Sequence, residues 1–206
     1  MALDKDTLET AISGVFSSMG SSGDNSVFSN GITNAIVAFV LAGDVSTTDG
    51  GTVPAGVFSG SGEGKLVVTP TKCAKTIKDA CDLMTDSAHG NDFLAEQIGA
   101  GIKQMADDGV VTTTVSGECV TPQGSVIAPY GGVATGSITC NSASLVASLK
   151  SVFAEMYANK SVTGYDGNAE FASALADAVN AFWTSGVVST SGEATIEGST
   201  GAGVIS

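Results

Sequence analysis

Four cysteines, Cys73, Cys81, Cys119 and Cys140, are the residues of this chain best suited to covalent or metal chemistry. A thiolate can attack a carbon, ligate zinc or enter a disulfide, and its surroundings decide which. No C-x-x-C pair and no Cys/His cluster is present, so neither a metal site nor a cofactor is expected. Cys73 and Cys81 are eight residues apart, about 12 Å along a helix axis, too far for a mutual bond. Cys119 and Cys140 flank a long strand-rich stretch. They could meet as a disulfide, bridge to a neighbouring unit or chain, or stay free. His89, the one histidine, stands in Asp86-Ser-Ala-His-Gly90-Asn-Asp with no nucleophile and orienting acid identifiable beside it, so it reads as a loop residue.

Other chemical motifs fail on spacing. Gly60-Ser-Gly-Glu-Gly-Lys65 resembles a phosphate loop only superficially: the first spacing is wrong, Leu66 replaces Ser/Thr, and a Val-rich strand pattern follows where a helix should begin. Asp24-Asn-Ser and Tyr165-Asp-Gly-Asn-Ala-Glu170 offer oxygens without completing a calcium loop, and Asp, Asn and Gly are ordinary turn and capping residues. Asn159-Lys-Ser161 is a formal glycosylation triplet, given no weight because the N-terminal sequence lacks the basic start and apolar stretch of a secretory signal. Trp183 reads as a core or interface anchor. With no converging constellation, no enzyme is expected.

Composition narrows the partners. The 206 residues carry 8 Lys plus Arg against 21 Asp plus Glu, a formal net charge of −13. Such a polyanion is not expected to hold nucleic acid by attraction, which relies on clustered Lys and Arg. Hydrophobic residues make up 43% of the chain, enough for a core. The longest apolar run, Ala35 to Ala42, falls short of the about 20 residues of a bilayer span, so no membrane is expected as partner.

The elements that would position these residues recur. Before Gly43, Gly109 and Gly186 the same offsets carry Phe28, Ile32, Ile36 and Phe39; then Leu94, Ile98, Ile102 and Met105; then Phe171, Leu175, Val179 and Phe182. Steps of four, four and three make one stripe of an amphipathic helix, and a closing Gly suggests a left-handed cap. An earlier helix repeats likewise: Leu8, Ile12, Phe16 and Met19; Cys73, Ile77, Cys81 and Met84; Leu145, Leu149, Phe153 and Met156. Asp4 or Asp6, Thr69 or Thr71, and Asn141 or Ser142 are the candidate helix starts. Val/Thr runs begin at Val45, Val110 and Val187. Gly-rich closing runs align at Gly64-Lys-Leu, Gly136-Ser-Ile and Gly203-Val-Ile.

The spacing therefore predicts an α+β chain of three tandem helix–helix–β-hairpin repeats, at residues 3–68, 69–139 and 140–206 (the middle one containing the cysteines). Its repeat core is Ile12, Phe16, Ile32, Ile36, Ile77, Ile98, Ile102, Leu149, Phe153, Leu175 and Val179. Units this small bury little surface alone, so they are expected to share a core or stack in a row.

The repeats and the ending Ser199-Thr-Gly-Ala-Gly-Val-Ile-Ser206 resemble small virion structural proteins of tailed bacteriophages and prophages. The resemblance implies a non-enzymatic building block of a phage particle, made in the host cytoplasm and located in the virion, as capsid decoration, neck or tail component. Its partners would be copies of itself, as a homo-oligomer, and other virion proteins. The alternative is an extracellular ligand- or glycan-binding repeat module, for which Tyr130, Tyr157 and Tyr165 would have to align between copies; they do not.

Overall fold

The computed structural model describes residues 3–19, 24–53, 56–84, 89–196 and 202–205. Residues 86–88 of the His89 stretch, and 199–201 and 206 of the Gly-rich ending, lie outside the described residues.

The fold is α+β. Its elements run α1 (Lys5–Met19), α2 (Asn25–Ala42), β1 (Val45–Val53), β2 (Gly56–Val67), α3 (Thr71–Leu83), α4 (Asn91–Asp107), β3 (Val110–Val120), β4 (Val126–Thr139), α5 (Ala143–Asn159), α6 (Gly167–Thr184), β5 (Val187–Ile196) and β6 (Ala202–Ile205). Short side chains start several helices by accepting otherwise unpaired backbone N–H groups. Asp4 accepts from Asp6 and Thr7, Asp24 from Ser26, and Asp166 from Asn168 and Ala169. Pro70 stands at the start of α3 with no side-chain cap, and Asn141 accepts from the N–H of Ala143 ahead of α5.

The six helices form a ring in which each packs on its chain neighbours and α1 packs on α6. Lys5 and Asp177 bridge that closure at 2.9 Å, and Phe16 meets Phe171 edge-on at 5.7 Å. The stripes converge on one core drawn from all six helices and from the strand ends Leu66, Val111 and Ile138. Helix α2 is long and apolar enough to cross a membrane by length and composition, and its Ile32, Thr33, Ile36, Phe39 and Val40 are buried within this ring.

The strands form one antiparallel sheet in the order β1 to β6. It curls strongly: a Cβ built on Gly60 of β2 would stand 2.3 Å from the hydroxyl of Tyr130, two strands away on β4. Inward positions alternate with exposed ones along β2 and β3, as a half-buried strand requires. Glycines 60, 62, 64, 117 and 136 stand where another chain segment leaves no room for a side chain. β1 and β6 approach each other, but among the described residues no ladder joins them, so the curled sheet keeps a seam.

The helix-end glycines differ from the left-handed caps expected. Gly43 has φ −71°, and among the described residues only Gly124 and Gly164 have positive φ. The reason for Gly is space. A Cβ at Gly109 would meet Leu66 Cδ1 at 3.0 Å, at Gly186 it would meet Ile138 Cδ1 at 2.6 Å, and at Gly43 it would meet Leu3 Cδ2 at 2.6 Å. The third closing run also departs from its counterparts. Gly64 pairs with Val45 and Gly136 with Val111, whereas Gly203 pairs with Ala194, well along β5.

Candidate functional site

The core positions chosen from the helix stripes are brought together. Ile12, Ile32, Ile36, Ile77, Ile98, Ile102, Leu149, Phe153, Leu175 and Val179 are buried in the main core. Phe16 is the exception: it is half-buried at the edge, against Phe28 and Phe171, and Val15 takes the buried place.

Cys119 and Cys140 do not meet, which corrects the disulfide considered above. The turn of the β3–β4 hairpin lies between Val120 and Val126, so Cys119 stands beside the turn, opposite Ala128, while Cys140 follows Thr139 at the far end. Eight residues from Cys119 to Val111 already span about 26 Å. All four cysteines are free thiols. Burial pushes the thiols of Cys73, Cys81 and Cys140 up to about 11, which suppresses the thiolate needed for attack or ligation. Cys73 takes a weak hydrogen bond from Thr33 at 3.7 Å.

The other motifs take structural places. His89 lies against Phe93, ring centroids 4.5 Å apart. Gly60–Lys65 is the middle of β2. Asp24 and Asp166 are helix caps. Among the described residues no three His, Cys, Asp or Glu side chains are grouped to hold a metal.

Two features of the sheet were not picked out from the sequence. The first is a polar layer inside the curl. Asp49 is 4% exposed and accepts from Thr47 Oγ1 at 3.0 Å. Around it, Thr113 Oγ1 and Tyr130 Oη are buried with no hydrogen-bond partner. Burial, and then the nearby Asp49 charge, raises the Tyr130 phenol above its ordinary value. Phe58, Val115, Cys119 and Ala134 complete this small second core. The polar groups of this layer are the Asp49 carboxylate and the hydroxyls of Thr47, Thr113 and Tyr130. The period-two glycines of β2 were its available signal.

The second feature is the seam. β6 covers only Gly192–Thr195 of β5. Below it, a cavity of about 390 Å³ is lined by Ser46, Thr47, Thr48 and Asp49 on β1 and by Gly186, Val188, Ser189 and Thr190 along β5. It borders a more apolar cavity of about 500 Å³ lined by Leu3, Val40, Gly43, Leu66, Ile138 and Trp183 among others. Trp183 is 5% exposed and its indole N–H has no acceptor. The arrangement is a gap between two strand edges, with apolar space at one end.

No protein-family model, curated protein or solved structure matches the chain.

Proposed function

We propose that this chain is a non-enzymatic structural protein of a tailed-phage particle, built of three copies of one helix–helix–hairpin unit and assembling with itself and with other virion proteins. The observation that carries the reading is the seam. A strand edge left unpaired is a template for another chain, and proteins that remain single ordinarily cover or charge it. The outer face of the sheet carries Val57 and Val67 on β2, Val110 on β3, Val126 and Val133 on β4 and, on a seam strand, Val187 on β5, each about half exposed or more. Exposed apolar surface of this kind marks contact sites, and the surplus of acid keeps free subunits soluble.

The threefold reading is supported by matched details as well as by element order. Gly64 and Gly136 each stand with a would-be Cβ 1.9 Å from the carbonyl oxygen of the next strand, Thr112 and Ser189 respectively. Leu66 and Ile138, each two residues on, abut the helix-end glycines Gly109 and Gly186.

The test is the mass of the purified chain at micromolar concentration together with mass spectrometry of virions from the strain encoding it. Oligomers and presence in the particle are expected. A lone monomer that is absent from virions would refute the reading.

A further inference from the structure

We propose that the seam between β1 and β5 is a strand-accepting slot whose occupant is the segment Ala202–Ile205 of a second copy of this chain. The inference rests on the three-unit reading above. Gly64 lies opposite Val45 on one side and Thr113 on the other. Gly136 lies opposite Val111 and Thr190. The corresponding residues of the seam are Val188 and Thr47, two and four residues after Gly186 and Gly43. By the same rule the third closing glycine, Gly203, belongs between them. It lies opposite Ala194 instead, six residues and about 20 Å along the strand.

The slot specifies the chemistry of its occupant. It needs extended backbone with hydrogen bonds for both edges. At the Gly203 level it needs glycine, because a side chain at the matching Gly64 or Gly136 would collide with the next strand's carbonyl. Two residues further it needs an apolar side chain. Leu66 and Ile138 fill that station beside Gly109 and Gly186; at the third station Leu3, from ahead of α1, abuts Gly43 and must shift aside into the adjoining cavity of about 500 Å³. Gly203-Val-Ile is the closing run that meets these needs and is paired along one edge alone.

The choice of a second copy follows from turn chemistry. To place its own Gly203 opposite Val188, a chain must reverse at Thr195-Ile196. Two-residue hairpins demand positive φ, which β-branched residues resist. In the described register Thr195 lies opposite Ala202, so Thr195 and Ile196 stay within β5 and out of the reversal. A strand arriving from another copy needs no reversal. Entering the slot, it exchanges pairing along one edge, to β5 alone, for pairing along both.

In the slot register Ser189 faces Ala202; in the described one Thr195 does. The test uses full-length Ser189→Cys and Ala202→Cys chains, mixed and mildly oxidised, with the unsubstituted chain as control for the native thiols. A covalent dimer on a non-reducing gel is expected, and adding Gly203→Val to the Ala202→Cys chain should abolish it. No dimer, or a dimer that persists with Gly203→Val, overturns the proposal. So does a Ser189→Cys/Ala202→Cys double variant that links only within one chain, which would assign the slot to the chain's own strand. If the unsubstituted chain is oligomeric and the two introduced thiols form no bond, strand exchange fails while self-assembly stands; if it is monomeric, both fail.

Discussion

Gly136→Ala adds one methyl group to a 206-residue chain, and the close approach of β5 to β4 makes it costly. The new Cβ would stand 1.9 Å from the carbonyl oxygen of Ser189 and 2.7 Å from Cα of Thr190. A carbon–oxygen contact settles no closer than about 3.3 Å, so one strand must yield by about 1.4 Å. Strands about 4.8 Å apart cannot open that far and keep their ladder locally. Losing two backbone hydrogen bonds costs about 2 kcal/mol, and overpacking adds about 1–3 kcal/mol. Replacing glycine returns about 0.5–1 kcal/mol by restricting the unfolded chain. The net expectation is a loss of about 2–4 kcal/mol, or roughly 4–16 °C in melting temperature for a chain this size. Gly131→Ala is the matched control: its Cβ faces solvent, 3.5 Å from the Val115 oxygen, an ordinary contact, and its stability should stay within about 1 kcal/mol of wild type. Urea unfolding followed by Trp183 fluorescence, at one fixed protein concentration because association shifts apparent stability, measures both. Equal midpoints for Gly136→Ala and wild type would refute the steric account of the sheet glycines.

Other expectations follow from the same geometry. Ile36→Asp and Val179→Asp, both fully buried on matching helices, should each abolish folding, read as lost helical circular dichroism; soluble variants with unchanged melting would contradict their equivalence. Tyr130→Phe and Thr113→Val remove buried hydroxyls that lack partners and should raise stability by up to about 1 kcal/mol in urea titrations; a loss would show that those hydroxyls are satisfied. Because burial raises the Cys73, Cys81 and Cys140 thiols from 9.0 to about 11, the folded chain holds these protons while the unfolded chain releases them. Their contribution is fully present below pH 9 and is lost as pH rises toward 11, so the urea midpoint should fall across that window, and replacing Cys73 with Ala should flatten the fall.

The helix layer was legible because the steps of four, four and three among Phe28, Ile32, Ile36 and Phe39, and their counterparts, fix a face wherever the partner lies. Phe16 shows the limit: neighbouring helix positions are about 100° apart, and Val15 beside it is also apolar, so the stripe alone could not say which enters the core. Gly43, Gly109 and Gly186 were misread because a glycine after a helix suits both a left-handed cap and a tight contact. The residues that decide, Leu3, Leu66 and Ile138, lie some 40 residues or more away in sequence. The Cys119–Cys140 pairing failed because the turn was not located: Cys119 is near the end of β3, beside the turn, and Cys140 follows β4, so the pair brackets one strand and sits at opposite ends of the hairpin. The polar layer around Asp49 was hidden because its neighbours Thr47, Thr113 and Tyr130 come from three strands, and only register brings them together.

The central claim, that this chain is made to pack against other copies of itself, is tested most directly by its mass in solution. Mass photometry and sedimentation at micromolar concentration should find species at multiples of 20.3 kDa, with a distribution that shifts on dilution. A single species at 20.3 kDa, unchanged across a hundredfold concentration range, would contradict it.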